Sequence, residues 1–185
     1  MNQFNIKPSI TIPYFDHTGG FMKTIRNSAK RRGLNPLFFI VKKFVNYCLF
    51  RISFFCPLNS FRIRCHKWRG VQIGKNVYIG IQCSIDNAYP EYIYIEDNVS
   101  IAAECLIIAH SNPYSHFQNI TPAQVAPVLI KKGAWICVRS LILPGVIIGE
   151  NAIVSAGSVI SSDVTPGSVV SGNPSKIITK NFPLT

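Results

Sequence analysis

From Val71 to Val164 an aliphatic residue returns at every sixth position. Ile73, Ile79 and Ile85 form one run, and after a step of ten Ile95, Ile101 and Ile107 form a second. Beyond a longer gap the count resumes at Ile130 and continues through Ile136, Ile142, Ile148, Val154 and Ile160. Four residues after each aliphatic stands a small or β-branched residue (Val77, Cys83, Val99, Cys105, Ser111, Ala134, Ser140, Val146, Ala152, Ser158, Val164), and only Tyr89 breaks the set. A period of six is neither the 3.6 of a helix nor the 2 of a single strand. It predicts short strands joined by corners and wound into a parallel β-helix, an all-β body in which three hexads close one triangular coil and twelve make about four. Both members of each hexad point inward, and stacked strands lie about 4.7–4.9 Å apart. The residue after each aliphatic is the expected corner, where glycine or a short polar side chain tolerates unusual dihedrals; Gly74, Gly80, Asp86 and Gly149 fit.

Two interruptions break the register. One is a four-residue insertion at Asn87-Ala88-Tyr89-Pro90, and the other is the excursion from Ile108 to Pro127. Loops added to a repeat scaffold are where binding residues gather. His110 stands where the second run ends and the excursion begins, so a rigid coil would hold its imidazole at the edge of a loop-covered surface. That suits a general base, because imidazole exchanges protons near neutral pH. A histidine at a strand end can equally be structural. His116 lies inside the loop and is the weaker candidate.

Ahead of the repeat the pattern changes. Residues 1–33 carry Pro8, Pro13, Gly19, Gly20 and Gly33 and end in Lys30-Arg31-Arg32, which reads as an irregular arm with a short helix from about Phe21 to Arg32. Residues 35–56 are the most apolar stretch, with Asn35-Pro36 as a helix start and Pro57 as a stop. Lys42, Lys43 and Arg51 interrupt it, so it falls short of the roughly twenty apolar residues of a membrane span. An amphipathic helix in the membrane interface fits the pattern. A helix packed on the β-helix or on a neighbouring subunit fits it too. Phe61–Arg69 adds four more cations and Trp68, which suits a surface near phosphate or head groups, and His66 reads as a surface or packing residue. The expected division is 1–70 (arm and amphipathic helix), 71–164 (β-helix with loop 108–127) and 165–185 (tail).

Charge follows the same division. The net +11 resembles a nucleic-acid signal. Residues 1–70, however, hold 13 Lys and Arg against the single acid Asp16, whereas residues 71–185 hold 6 against 7 acids. The repeat body is thus nearly neutral and no nucleic-acid motif accompanies the basic segment, so no nucleic-acid partner is expected. Six cysteines, none in a CxxC pair, are expected to be free, as suits a reducing cytoplasm. No charged-then-apolar order of a signal peptide opens the chain.

Several stretches occur in the order of a known family: GVQIGKNVYIG, then SIDNAYPEYIYIEDNVSIAAECLIIAHSNP, then APVLIKKGAWICVRSLILPGVIIGENAIVSAGSVISSDV, then SGNPSKII. Over residues 71–178 the chain resembles the hexapeptide-repeat acyltransferases, in particular the sugar O-acetyltransferases. The resemblance implies a left-handed parallel β-helix, acetyl-CoA as co-substrate, no metal, and a homotrimer with active sites between subunits. It places the catalytic base on His110 and the acceptor wall, or the group that orients the base, at Asp86 and Asn87. Cofactor contacts fall on Trp135, on Ala156, Gly157 and Ser158 along the pantetheine arm, and on Lys176 near the CoA phosphates. Acetyl would pass directly to a sugar hydroxyl without an acyl-enzyme, at the cytoplasmic face of the membrane. The chain departs from the pattern at Cys137, where glycine is usual, at Val138, and at Ser161-Ser162, where a Thr-Lys pair is common. N-acyl transfer to an amino sugar and a non-catalytic binding scaffold are the alternatives. A zinc hydratase on the same fold would need three convergent histidines, and the repeat supplies only His110 and His116.

Overall fold

The computed structural model describes residues 3–15 and 20–179. Its body is a prism of three parallel ladders. On the first face Gln72–Ile73, Ile93–Ile95, Val128–Ile130 and Ile147–Ile148 pair in parallel. The second stacks Tyr78–Ile79, Ser100–Ile101, Trp135–Ile136, Ile153–Val154 and Val169–Ser171. The third stacks Ser84–Ile85, Leu106–Ile107, Leu141–Ile142 and Val159–Ile160. Register is set by the hexad, so each inward aliphatic lies directly on its counterpart, as Ile79 on Ile101, Ile136 and Val154. All twelve are buried, with eleven at 0% exposure and Ile73 at 7%. Each contributes roughly 1.5–3 kcal/mol by leaving water. Of the residues four positions later, Ser111 is half-buried and belongs to the excursion instead.

The corners differ from the sequence expectation. Left-handed backbone falls three residues after the aliphatic, at Asn76, Gln82, Asn98, Glu104, Arg139 and Asn151 among others, and not at the residue that follows it. Gly74, Gly80 and Gly149 answer to space rather than dihedral: a Cβ on Gly80 would lie 2.6 Å from Ala103 Cα in the next coil.

Three helices precede the prism: α1 (Gly20–Arg31), α2 (Pro36–Phe55) and α3 (Asn59–Arg69). Asn35 caps α2 by accepting from Leu37 N–H at 2.9 Å, with Pro36 at the first helical position, where a missing N–H costs nothing. The inner face of α1, Ile25 and Ala29, packs on Phe39 of α2. The helix α3 ends at Gly70, whose φ of 109° admits the turn into the first strand. Among the described residues no helix is long and apolar enough to cross a membrane.

The first coil has no coil before it, so its inward-stacking carbonyls need other donors. Helix α3 supplies them. Arg62 donates to Ile79 O at 2.8 and 2.6 Å and to Cys56 O at 2.7 Å, and Arg69 donates to Ile85 O and Asp86 O at 2.8 and 2.7 Å. Arg62, His66 and Arg69 are therefore buried. This corrects the reading of Phe61–Arg69 as a surface segment: two of its four cations close the end of the prism. Burial, with Arg69 and Arg62 beside it, pushes His66 down to about 3, so it stays neutral and accepts from Arg69 at 3.0 Å. Burial likewise lowers Arg69 to about 10.

The N-terminal arm runs along the outside of the coils. Gln3 donates to Asp97 Oδ1 at 2.7 Å, and Ile10–Thr11 pairs antiparallel with Gln124–Val125. That strand also pairs antiparallel with His110–Ser111, giving a three-stranded sheet at the base of the excursion. All six cysteines are unbridged.

Candidate active site

The two interruptions leave the prism at the same edge. One follows Ile85 and the other follows Ile107, and these residues are Cα partners in adjacent coils. Asp86 is thereby stacked against the strand that leads to His110. The Asp86 side chain is fully buried and its carboxylate is saturated. Oδ1 accepts from Ala88 N–H at 2.8 Å and Tyr89 N–H at 2.9 Å. Oδ2 accepts from Ala109 N–H at 2.8 Å and from His110 Nδ1 at 2.5 Å. Burial alone would push this carboxyl up, but His110 and the Tyr89 and Ala109 amides outweigh it, and the group lies below its usual range. Asp86 is thus ionised and can only accept, so His110 carries its proton on Nδ1 and offers a lone pair at Nε2. The His110 backbone is pinned by pairing with Val125.

His110 is about 30% exposed and opens into a cleft of about 1040 Å³. One wall is the prism edge with Ala88, Tyr89 and His110, and the other is α1 with Phe39 and Lys43 of α2 and the end of the arm. The Tyr89 ring lies 5.4 Å from the imidazole and 4.6 Å from the Arg32 guanidinium. The sequence marks Tyr89, Arg32 and Lys43 for other reasons and does not place them at this site. The one available signal was Tyr89 breaking the small-residue rule, because a ring too large for the inward slot had to face outward toward something.

The remaining candidates fall elsewhere. Asn87 is exposed, and its carbonyl accepts from Asn46 of α2 at 2.8 Å. His116 lies on the loop against Tyr114 and Phe117 and does not line the cleft. Trp135, half-exposed, sits on the second face, and Ala156 and Gly157 follow the next strand of that face, both exposed. Lys176 lies in Lys176–Thr179, antiparallel to Val169–Ser171 on the same sheet. Ser158 is different: its side chain is buried, donates to Ser155 O at 2.6 Å and accepts from Gly172 N–H at 3.1 Å. Its hydroxyl belongs to the interior and only its backbone can serve a cofactor. None of the five cofactor candidates lines the cleft at His110 within one chain. Among the described residues no group of three His, Cys, Asp or Glu is placed to hold a metal ion.

The sequence profile of the bacterial transferase hexapeptide family (six repeats) matches residues 127–162. YvoF of Bacillus subtilis, an acetyltransferase by name, is 30% identical over 143 residues, 77% of this chain and 78% of its own. Galactoside O-acetyltransferase of Escherichia coli is 31% identical over 109 residues, which span 58% of this chain and only 53% of that enzyme. Among solved structures, a hexapeptide-repeat acetyltransferase of Vibrio cholerae complexed with acetyl coenzyme A superposes with a TM-score of 0.63 at 22% identity, covering 78% of this chain and 89% of its own. The prism is therefore a left-handed parallel β-helix, and the chain belongs to the hexapeptide-repeat transferases.

Proposed function

We propose that the chain transfers acetyl from acetyl-CoA to a hydroxyl of a sugar or polysaccharide precursor, with His110 as general base. The observation that carries this reading is the saturated Asp86 carboxylate on His110 Nδ1, which leaves Nε2 basic at the mouth of a large cleft. Nε2 takes the proton of the acceptor hydroxyl as its oxygen attacks the thioester carbonyl. The C–O bond forms, the C–S bond breaks, and the imidazolium returns its proton to the departing CoA sulfur. No acyl-enzyme is required. Of the two roles open to Asp86, orienting the base fits better than holding the acceptor, because all its acceptor positions are occupied by the protein.

CoA would lie along the second face, against Trp135, Ala156 and Gly157, with Lys176 toward its phosphates. Since these do not meet His110 within one chain, we propose a homotrimer in which one subunit's second face approaches its neighbour's cleft. Mass and turnover test both parts. Light scattering should return three times the chain mass, and mass spectrometry of a glycan panel should find one added acetyl that His110→Ala abolishes. Equal turnover in that variant would remove His110 from the mechanism. Acetyl-CoA binding without transfer to any glycan would favour a binding scaffold, and transfer only to an amino sugar would make this an N-acyltransferase.

A second surface favours peripheral membrane contact at the cytoplasmic face. Leu37, Val41, Phe44, Val45, Ile52 and Phe55 repeat at helical spacing along α2 and are 46–72% exposed, with Lys42 and Arg51 beside them. Apolar side chains rimmed by cations suit an anionic lipid interface. Flotation with vesicles containing acidic phospholipid should carry the protein, and loss of flotation in Phe44→Glu would assign the contact to this face.

A further inference from the structure

Five cations line the cleft at His110: Lys23, Lys30 and Arg31 from α1, Arg32 just after it, and Lys43 from α2. No carboxylate is among the described lining residues. Arg32 and Lys43 are the ones built into the wall. Both are half-buried and neither makes an ion pair among the described residues. Arg32 is clamped between the Phe39 and Tyr89 rings, at 5.3 and 4.6 Å, and spends a single hydrogen bond, on Ala88 O at 3.3 Å. The other guanidinium donors have no acceptor among the described residues. Lys43 lies over the Phe39 ring at 5.8 Å, and no described residue accepts a hydrogen bond from it. Burial and Arg32 both depress Lys43, and Glu91 and Asp86 compensate only in part. Two half-buried cations on one aromatic platform, with no ion pair among the described residues, leave donors and positive charge facing the cleft that an anionic group could take up. Tyr89, the ring against which Arg32 is clamped, also touches the imidazole.

We propose that Arg32 and Lys43 form a subsite for an anionic group on the acceptor, a phosphate or a carboxylate, placed beside the hydroxyl that His110 deprotonates. This rests on the acetyl-transfer reading and narrows it: the preferred acceptor is a charged sugar such as a glycosyl phosphate or a uronic acid, not a neutral glycoside. A guanidinium offers a paired fork to either oxyanion, and the ammonium adds a point charge.

Two measurements on the full chain test it. Calorimetry without acetyl-CoA compares a neutral glycoside, its glycosyl phosphate and the corresponding uronic acid. Wild type should bind one of the charged pair at least about 10-fold more tightly than the neutral sugar, and which one identifies the anion. Steady-state kinetics on Arg32→Gln and Lys43→Gln should lower the charged-over-neutral ratio of kcat/KM about 10- to 100-fold. Lys43→Gln keeps the Arg32 clamp between rings intact, so agreement between the two variants excludes a loosened loop as the cause. Equal binding of all three sugars overturns the proposal, as does a rise in KM for acetyl-CoA in place of the acceptor. Because the binding experiment needs no turnover, a protein that binds the charged sugar yet transfers no acetyl would refute the reaction and leave the subsite standing.

Discussion

Asp86→Asn separates the two roles that a carboxylate beside His110 can play. The substitution keeps the shape of the side chain but replaces one oxygen with an NH2 group. In the native site both oxygens receive donors only: the Ala88 and Tyr89 amides on one, and the Ala109 amide and His110 Nδ1 on the other. Whichever way the new amide turns, its NH2 faces two backbone N–H groups, or one N–H and the imidazole. The first orientation loses two hydrogen bonds. The second is relieved only if Nδ1 becomes the acceptor, which moves the imidazole proton to Nε2 and blocks the base. Each lost partner leaves a buried amide unpaired, so the variant should be less stable by about 1–3 kcal/mol. A histidine held in the wrong tautomer by such a change costs on the order of 10⁴ in kcat in a serine-protease triad. The assay is initial-rate release of the CoA thiol at saturating acetyl-CoA, with thermal melting recorded alongside. A fall in kcat with little change in acceptor KM supports an orienting role. A raised acceptor KM at nearly native kcat would mean that Asp86 holds the acceptor. Retention of kcat within about 10-fold would refute a need for the carboxylate's charge, the amide oxygen alone then holding the Nδ1 proton.

The other predictions concern the scaffold. Gly80→Ala puts a Cβ against the Ala103 backbone and should lower stability by about 1–3 kcal/mol, whereas Gly157→Ala, left-handed but in open space, should cost about 1 kcal/mol; chemical denaturation compares them. Ile136→Ala empties a fully buried rung with neighbours on both sides and should cost about 2–5 kcal/mol by the same measurement. Since His66 lies at about 3 when folded, below the ordinary histidine value, the unfolded chain binds the proton more readily between the two. Its contribution is therefore complete above about pH 6.5 and lost as pH falls toward 3. Melting temperature measured against pH should fall less steeply over that window in His66→Gln. Asp86, depressed instead from the carboxylate range, contributes above its unfolded value near pH 3.9 and loses its effect only in stronger acid.

The prism was legible because a β-helix forces every coil to obey one spacing: the twelve aliphatics and ten of the twelve following positions lie inside it. His110 was legible for a related reason, as a titratable residue at a break in an otherwise unbroken register. The corners were misjudged because glycine serves two needs, backbone conformation and close approach, and Gly80 serves the second. Neither Arg62 nor Lys43 announces its position. A cation on a helix reads as an exposed charge until one knows which carbonyls or rings lie opposite. The Asp86–His110 pair sits in the middle. Both residues were candidates, but their contact depends on two detours leaving the same edge, which spacing alone does not show.

The arginine fork of α3 has a consequence for how molecules meet. A parallel β-helix begins with a face of unpaired carbonyls, a template onto which the last coil of another molecule would dock as the next rung. Arg62 and Arg69 occupy that template at Ile79 and Ile85, and the helix that carries them stands over the opening. At the other end Lys176–Thr179 turns back antiparallel on Val169–Ser171 and breaks the parallel register. At the first end two of the three faces, and at the other end the second face, are thereby closed to a copy of the chain, an arrangement expected to oppose end-to-end growth. Replacing both Arg62 and Arg69 should uncover those carbonyls, and sedimentation of the variant against wild type would read any end-to-end association that follows.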